Sequence, residues 1–154
     1  MRVTLAVRND TAYAGCFRLP NLRSLAKKIC MGEGVPGDVE ISLLLCGDGA
    51  MRELNRQYAG KNKTTDVLSF PQEGVHLASG PRALGDIVIS LDTVAARCDG
   101  VREDMFEETR LLFCHGLLHL LGFDHQTMQS KKLMVEKQAL YLECEPKAAW
   151  FRGH

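Results

Sequence analysis

The chain has 154 residues, of which 45% are hydrophobic and 25% are charged, and its 19 basic residues are balanced by 19 acidic ones. This length suits one domain over residues 1–154, which can bury about 70% of the surface of the unfolded chain. Zero net charge excludes a protein with a basic surface throughout, so contacts with nucleic acid must come from local groups of cations.

The sequence shows no signal for export or membrane insertion. The opening MRVTLAVRND has an apolar run that is too short for a signal peptide and that Arg8 interrupts. No stretch approaches the ~20 apolar residues of a membrane span. Six cysteines are widely spaced without a C-x-x-C pair, which is typical of reduced thiols. We expect a soluble cytoplasmic protein without membrane contact, in which Cys30, Cys46 and Cys114 are buried.

Strands and helices are predicted to alternate along the chain. Alternating or continuous apolar runs predict strands at 2–7, 39–46, 66–70 and 86–90. Helical periodicity predicts helices at 20–32, 49–60, 90–98, 102–121 and about 127–142. The strand at 39–46 is nearly all apolar, which predicts burial on both faces. The order indicates a single α/β or α+β domain with a mixed sheet of about four strands and about five helices.

Apolar stripes predict the packed faces of the helices. The stripe of the helix at 49–60 consists of Met51, Leu54 and Tyr58. The stripe of the last helix consists of Leu133, Met134, Leu140 and Tyr141. We expect these side chains to pack against the sheet or against neighbouring helices.

The helix at 102–121 is predicted to be the central buried helix. Its first two turns are acidic, which suits the positive end of a helix dipole, and they contain Glu103, Asp104, Glu107 and Glu108. From Leu111 onward, every residue except the histidines is apolar or glycine. Gly122 is expected to end this helix, because glycine readily adopts the left-handed conformation of a helix C-terminus.

The segment CHGLLHLLGFDH, residues 114–125, contains three of the five histidines. His115 and His119 are four residues apart and therefore share a helix face. A turn at Gly122 lets His125 return to that face. Three imidazoles at about 2.0–2.1 Å from a zinc ion leave one position open, as in catalytic zinc sites. The alternative, core histidines with hydrogen-bonded rings, suits a single histidine better than three in an apolar core.

The spacing H-x₃-H-x₂-G-x₂-H is also that of the metzincin proteases. In those enzymes a glutamate follows the first histidine and acts as the general base of peptide hydrolysis. Gly116 stands at that place here. The segment therefore predicts a metal site that lacks the base of a peptidase.

Together with LNRQYAGKNKTTDVLSFP and LGDIVIS, the histidine segment resembles the YbeY family of bacterial metal-dependent endoribonucleases, over about residues 43–142. The resemblance implies a metallohydrolase domain in which His115, His119 and His125 bind one zinc ion in a cleft. It also implies cleavage of single-stranded RNA, in maturation of ribosomal RNA at the 16S 3′ end and in ribosome quality control. The implied partners are single-stranded RNA and ribosomal RNA or the small ribosomal subunit, and DNA is not expected.

The sequence departs from the family pattern at one place that matters. An arginine that faces the RNA or the scissile phosphate usually follows the tyrosine of LNxxY, and Ala59 stands there. Lys61 and Lys63 are the candidates for phosphate binding in place of that arginine, although the ammonium group of a lysine lacks the planar geometry with which a guanidinium binds two phosphate oxygens. Asp66 stands at a position where many members of the family carry asparagine. Asp124 is a candidate proton acceptor or orienting residue for the neighbouring histidine, and a turn role is equally open.

Two other classes of function remain open. The first is a zinc hydrolase of peptides or small amides, against which Gly116 argues. The second is a ribosome-assembly binding factor with a structural metal and with weak or lost nuclease activity, which Ala59 favours.

Overall fold

The computed structural model describes residues 1–60, 62, 65–72 and 80–150. The strands are Val3–Asn9 (β1), Val39–Cys46 (β2), Val67–Pro71 (β3) and Arg82–Ser90 (β4). The helices are Leu19–Gly32 (α1), Asp48–Ala59 (α2), Leu91–Arg97 (α3), Arg102–Leu120 (α4) and Met128–Leu142 (α5), and a 3₁₀ helix follows at Pro146–Ala148. These elements form one α+β domain, as predicted. Among the described helices, none combines the length and the apolar character that crossing a bilayer demands.

The four strands form one mixed sheet in the order β1-β2-β4-β3. β2 is parallel to both β1 and β4, and β3 pairs antiparallel with β4 at one edge. The prediction that β2 is buried on both faces holds only for its second half, since Glu40 and Ser42 are exposed. The cluster around Met51 of α2 packs against Leu44 and Cys46, so among the residues that the structure describes the second face of β2 is covered only there.

β4 begins at Arg82, four residues before the predicted start at Asp86. The reason is Gly85, which has a φ of 137°. The pairing register with β2 shifts beside it. A Cβ atom at position 85 would lie 2.2 Å from the Phe70 carbonyl oxygen, so only glycine fits there. In the sequence this glycine resembles a strand boundary, whereas in the fold it continues the strand through a bulge.

α4 is the central buried helix, as predicted. It packs on β3 and β4 and also contacts α1, α3 and α5. Its fully buried side chains include Leu112, Phe113, Leu117 and Leu118. The main core therefore surrounds the helix that carries two of the three clustered histidines.

The predicted helix stripes are wrong at three positions. Leu133 and Leu140 of α5 are 44% and 62% exposed, because the packed face of α5 passes through Met134, Gln138 and Tyr141. The two leucines lie one residue earlier, about 100° around the helix.

Tyr58 of α2 is 68% exposed, whereas Asn55 is buried on the same helix. Tyr58 lies in the last turn, at the edge of the sheet. There its ring meets Phe70 of β3 edge-on, with centroids 5.1 Å apart. Tyr58 is therefore exposed because it lies beside the edge strand β3, and not because it lies on a different face of the helix.

Candidate metal centre

The end of α4 brings the histidine segment back on itself. The Gly122 amide donates to the His119 carbonyl oxygen, and the Phe123 amide donates to the Leu118 carbonyl oxygen, each at 3.0 Å. This is the Schellman pattern that terminates helices. Gly122 has a φ of 102°, which favours glycine, and the chain then carries His125 towards the face of α4 that bears the other two histidines. The predicted turn is confirmed.

The three histidines meet at one point. A ring nitrogen from each of His115, His119 and His125 lies within 4.8 Å of the other two. The Nε2 atoms of His115 and His119 are 3.1 Å apart. Two nitrogen ligands of a tetrahedral zinc ion are about 3.4 Å apart. The three rings therefore could hold a metal ion with little adjustment.

Burial is graded across this cluster. His115 is 2% exposed, His119 is half-buried and His125 is exposed. Burial lowers the pKa of His115 to about 3, the hydrogen bond that His115 donates to Gln138 opposes this, and the charges of the other two histidines act in the same direction as burial. Burial and the charge of His125 also lower the pKa of His119. At neutral pH these two rings are neutral, which is the form that binds metal.

Gln138 of α5 fixes the orientation of the His115 ring. His115 Nδ1 lies 2.8 Å from Gln138 Oε1, and Gln138 Nε2 donates to the Ala149 carbonyl oxygen. The amide nitrogen of Gln138 is thus used as a donor, so its oxygen accepts the Nδ1 proton of His115. The lone pair of His115 is then left on Nε2, the atom that faces His119.

Trp150, the last described residue, packs against the histidine cluster. The Trp150 ring stands edge-on to His115 and to His125, with centroids 5.4 Å and 5.5 Å away. Lys131 Nζ lies 4.9 Å from the centroid of the Trp150 ring, within cation–π distance. The segment after α5 therefore contributes directly to the surroundings of the histidines.

A cleft of about 340 Å³ opens beside the cluster, between the histidines and the edge strand β3. Its other lining residues are Thr65, Asp66, Val67, Leu68, Ser69 and Pro71. Asp66 is 3% exposed and forms an ion pair with Arg97 at 2.9 Å. The Ser69 hydroxyl donates to the Gly116 carbonyl oxygen at 3.0 Å, which joins β3 to α4.

The packing of α4 on the sheet explains why position 116 is a glycine. A Cβ atom at this position would lie 2.8 Å from Ile87 Cγ2 and 3.2 Å from Ser69 Oγ. A glutamate side chain does not fit between α4 and the sheet. The place where metzincins carry their general base is therefore used here for helix–sheet packing.

The remaining predicted site residues have different outcomes. Lys61 and Lys63 lie outside the described residues. Ala59 is the exposed last residue of α2. Asp124 is exposed, and its Oδ1 accepts a hydrogen bond from the Gln126 amide at 3.3 Å, so the turn role is observed. Its role in proton transfer stays a prediction.

The sequence patterns do not predict the places of Gln138, Trp150 and the Asp66–Arg97 pair beside the histidines. Gln138 had one available signal, since it lies four residues after Met134 and three before Tyr141, where an apolar residue is expected. No local pattern pointed to Trp150, which reaches the cluster from a separate segment.

Comparison with known proteins gives a consistent result. A family model described as Endoribonuclease YbeY matches residues 14–144. The Endoribonuclease YbeY of an Anaeromyxobacter species is 49% identical over 139 residues, which cover 90% of this chain and 69% of the relative. That of Bacillus licheniformis is 32% identical over 145 residues, which cover 90% and 92%. A solution structure from Thermotoga maritima is similar with a TM-score of 0.55 and 27% identity, over 96% of this chain and 89% of that chain.

Proposed function

Because the chain belongs to the Endoribonuclease YbeY family, we propose that it is a zinc-dependent endoribonuclease specific for single-stranded RNA. Membership of this family supports an endoribonuclease activity with a role in processing ribosomal RNA. The observation that supports metal dependence is the convergence of three imidazole nitrogens within 4.8 Å beside an open cleft.

In this proposal His115, His119 and His125 hold the zinc ion. Their chemistry fits, since neutral imidazole is a common zinc ligand and burial keeps His115 and His119 neutral. When bound, such an ion makes a water molecule more acidic and offsets negative charge on phosphate oxygens. Gln138 would hold His115 in the tautomer that binds metal, through the contact at 2.8 Å.

Asp124 is the proposed proton acceptor during cleavage. It directly precedes His125 and is exposed at the open end of the cluster. Its charge acts on His119, where it opposes the lowering of the pKa by burial. Asp124→Asn should therefore lower kcat and leave the zinc content unchanged.

The proposed substrate is a flexible RNA strand. The buried His115 lies at the inner end of the cluster, which a phosphate in a stiff A-form duplex reaches poorly, whereas an unstacked strand can enter the cleft. Lys61 and Lys63 are the proposed phosphate contacts. The proposed cellular role is cytoplasmic maturation of the 16S ribosomal RNA 3′ end and ribosome quality control, with ribosomal RNA or the small subunit as partner.

The decisive experiment uses one labelled RNA in single-stranded and fully paired forms. We expect cleavage of the single strand, loss of cleavage with a chelator and recovery with added zinc. His115→Ala is the control, since it removes a ligand and should abolish cleavage. Equal cleavage of both forms, or undiminished cleavage by the variant, would contradict the proposal.

The assembly-factor alternative keeps one supporting observation, which is Ala59 at the usual arginine position. RNA binding without cleavage by zinc-loaded protein would favour it. Peptide hydrolysis is not proposed, because Gly116 occupies the position of the peptidase base and packs against Ile87.

A further inference from the structure

Three buried groups form a continuous chain of hydrogen bonds between the histidine cluster and the residues after α5. His115 is 2% exposed, and Gln138 and Ala149 are both 0% exposed. His115 Nδ1 donates to Gln138 Oε1 at 2.8 Å, and Gln138 Nε2 donates to the Ala149 carbonyl oxygen. One amide side chain thus contacts a proposed metal ligand on one side and the backbone of the C-terminal segment, residues 146–150, on the other.

We propose that Gln138 is a positioning residue that couples metal binding to docking of the C-terminal segment, an inference that rests on the proposed zinc site. The two hydrogen bonds of an amide reinforce each other. Donation from the amide N–H polarises the group and makes its oxygen a better acceptor. A docked Ala149 therefore strengthens the hold of Gln138 on the Nδ1 proton of His115.

Metal binding and docking favour each other by this route. A zinc ion on Nε2 requires the remaining proton of His115 to lie on Nδ1, where it needs an acceptor. Gln138 Oε1 is that acceptor, and the same amide must then direct its N–H towards Ala149. If docking raises zinc affinity by a given factor, zinc must favour docking by the same factor.

Docking places Trp150 against the metal centre. Its ring lies edge-on to His115 and His125 at centroid distances of 5.4 Å and 5.5 Å. It is the single tryptophan of the chain, so its fluorescence reports on the C-terminal segment alone. Zinc has a filled d shell, which makes it suitable for a fluorescence titration.

The experiment measures zinc affinity and acrylamide quenching of Trp150 in the full-length chain. Gln138→Met keeps the size of the side chain and removes both hydrogen bonds. Gln138→Glu keeps an acceptor for His115 and replaces the amide N–H that Ala149 uses. Gln129→Met is the matched control, since Gln129 is an exposed glutamine on the same helix. Far-UV circular dichroism checks the fold of every variant.

We expect zinc to reduce quenching of Trp150 in the wild-type chain and in Gln129→Met. Gln138→Met should bind zinc about 10-fold more weakly and leave Trp150 accessible even at saturating zinc. Gln138→Glu should recover much of the zinc affinity. The affinity difference between the methionine and glutamate variants is a readout that a merely space-filling role would not produce.

Three results would overturn the coupling. The first is zinc binding by the wild-type chain with no change in Trp150 quenching. The second is full protection of Trp150 by saturating zinc in Gln138→Met. The third is equal zinc affinity of the methionine and glutamate variants. If the wild-type chain bound no zinc at all, the proposed metal centre would fail together with the coupling, whereas these three results leave the centre intact.

Discussion

Two polar clusters contact α5, and they are built on opposite principles. In the carboxylate cluster, Glu33 at the end of α1 accepts from Lys137 Nζ at 3.0 Å and from the Tyr141 hydroxyl. An anion, a cation and a phenol complement one another. In the histidine cluster, three groups of the same kind direct ring nitrogens towards one another. The first arrangement stabilises the fold by itself, whereas the second gains most from a cation.

The pKa shifts show the same difference. Partial burial raises the pKa of Glu33, but hydrogen bonds from Tyr141 and Lys137 outweigh it, so the pKa lies below its usual value. The pKa of His115 is lowered to about 3 because burial disfavours its charged form. The carboxylate cluster therefore stabilises the charged form of Glu33, whereas the histidine cluster keeps His115 neutral.

The largest expected effect comes from removing a ring of the histidine cluster. His119→Ala should reduce zinc from about one ion per chain to almost none. The variant should also lose the stabilisation that zinc gives, because metal bound to the folded state adds to folding free energy. Metal analysis and thermal unfolding with and without zinc measure both effects.

Glu33→Gln serves as the control for this variant, since it alters the carboxylate cluster and should retain zinc. Stoichiometric zinc in a variant that lacks both His115 and His119 would contradict the assignment of the site.

The second prediction concerns pH in the metal-free protein. The unfolded chain protonates His115 near pH 6.5, whereas the folded chain does so only near pH 3. The unfolded state therefore binds more protons in between, and the free energy of unfolding should fall as the pH falls through this window. The slope for one such group reaches about 1.4 kcal/mol per pH unit inside this window. Because the unfolded chain is only half protonated at pH 6.5, the loss between pH 6.5 and 4.5 is about 2 kcal/mol.

Urea unfolding at several pH values, compared with His115→Gln, isolates this contribution. Parallel pH profiles of the two proteins would show that His115 is not held neutral by burial.

The third prediction concerns the carboxylate cluster. Tyr141→Phe removes one hydrogen bond to Glu33 and should lower the free energy of unfolding by about 2 kcal/mol. Because this cluster works without a metal, the loss should be the same with zinc and with a chelator. A loss that appears only with zinc present would mean that the two clusters are not separate.

The sequence predicts those parts of the site that depend on local geometry. His115 and His119 share a face because a helix repeats every 3.6 residues, and Gly122 ends that helix by a known motif. Gln138 lies 23 residues from His115, and their contact depends on how α5 is rotated against α4. The apolar pattern of α5 gave that rotation incorrectly, since Leu133 and Leu140 are exposed. Packing between distant segments therefore determines what the local pattern leaves open.

The smallest expected effect lies outside both clusters, at Ala59. This residue is exposed at the end of α2, directly after Tyr58, whose ring packs on Phe70 of β3. β3 lines the cleft beside the histidines, so the end of α2 lies close to the strand that borders the path proposed for RNA. Ala59→Arg should leave the zinc content and the stability almost unchanged, since an exposed helix position tolerates arginine.

A guanidinium can bind two phosphate oxygens, which alanine cannot. The affinity of Ala59→Arg for single-stranded RNA should therefore rise, and its dependence on salt should steepen by about 0.7 in log–log slope, as expected for one added phosphate contact. Ala59→Gln is the matched control, because it adds length without charge and should leave the slope unchanged. Identical RNA affinity, salt slope and cleavage rate in Ala59→Arg and the wild-type chain would show that position 59 does not face the substrate. Other residues would then bind the RNA, and the proposed role of the histidine cluster in metal binding would still stand.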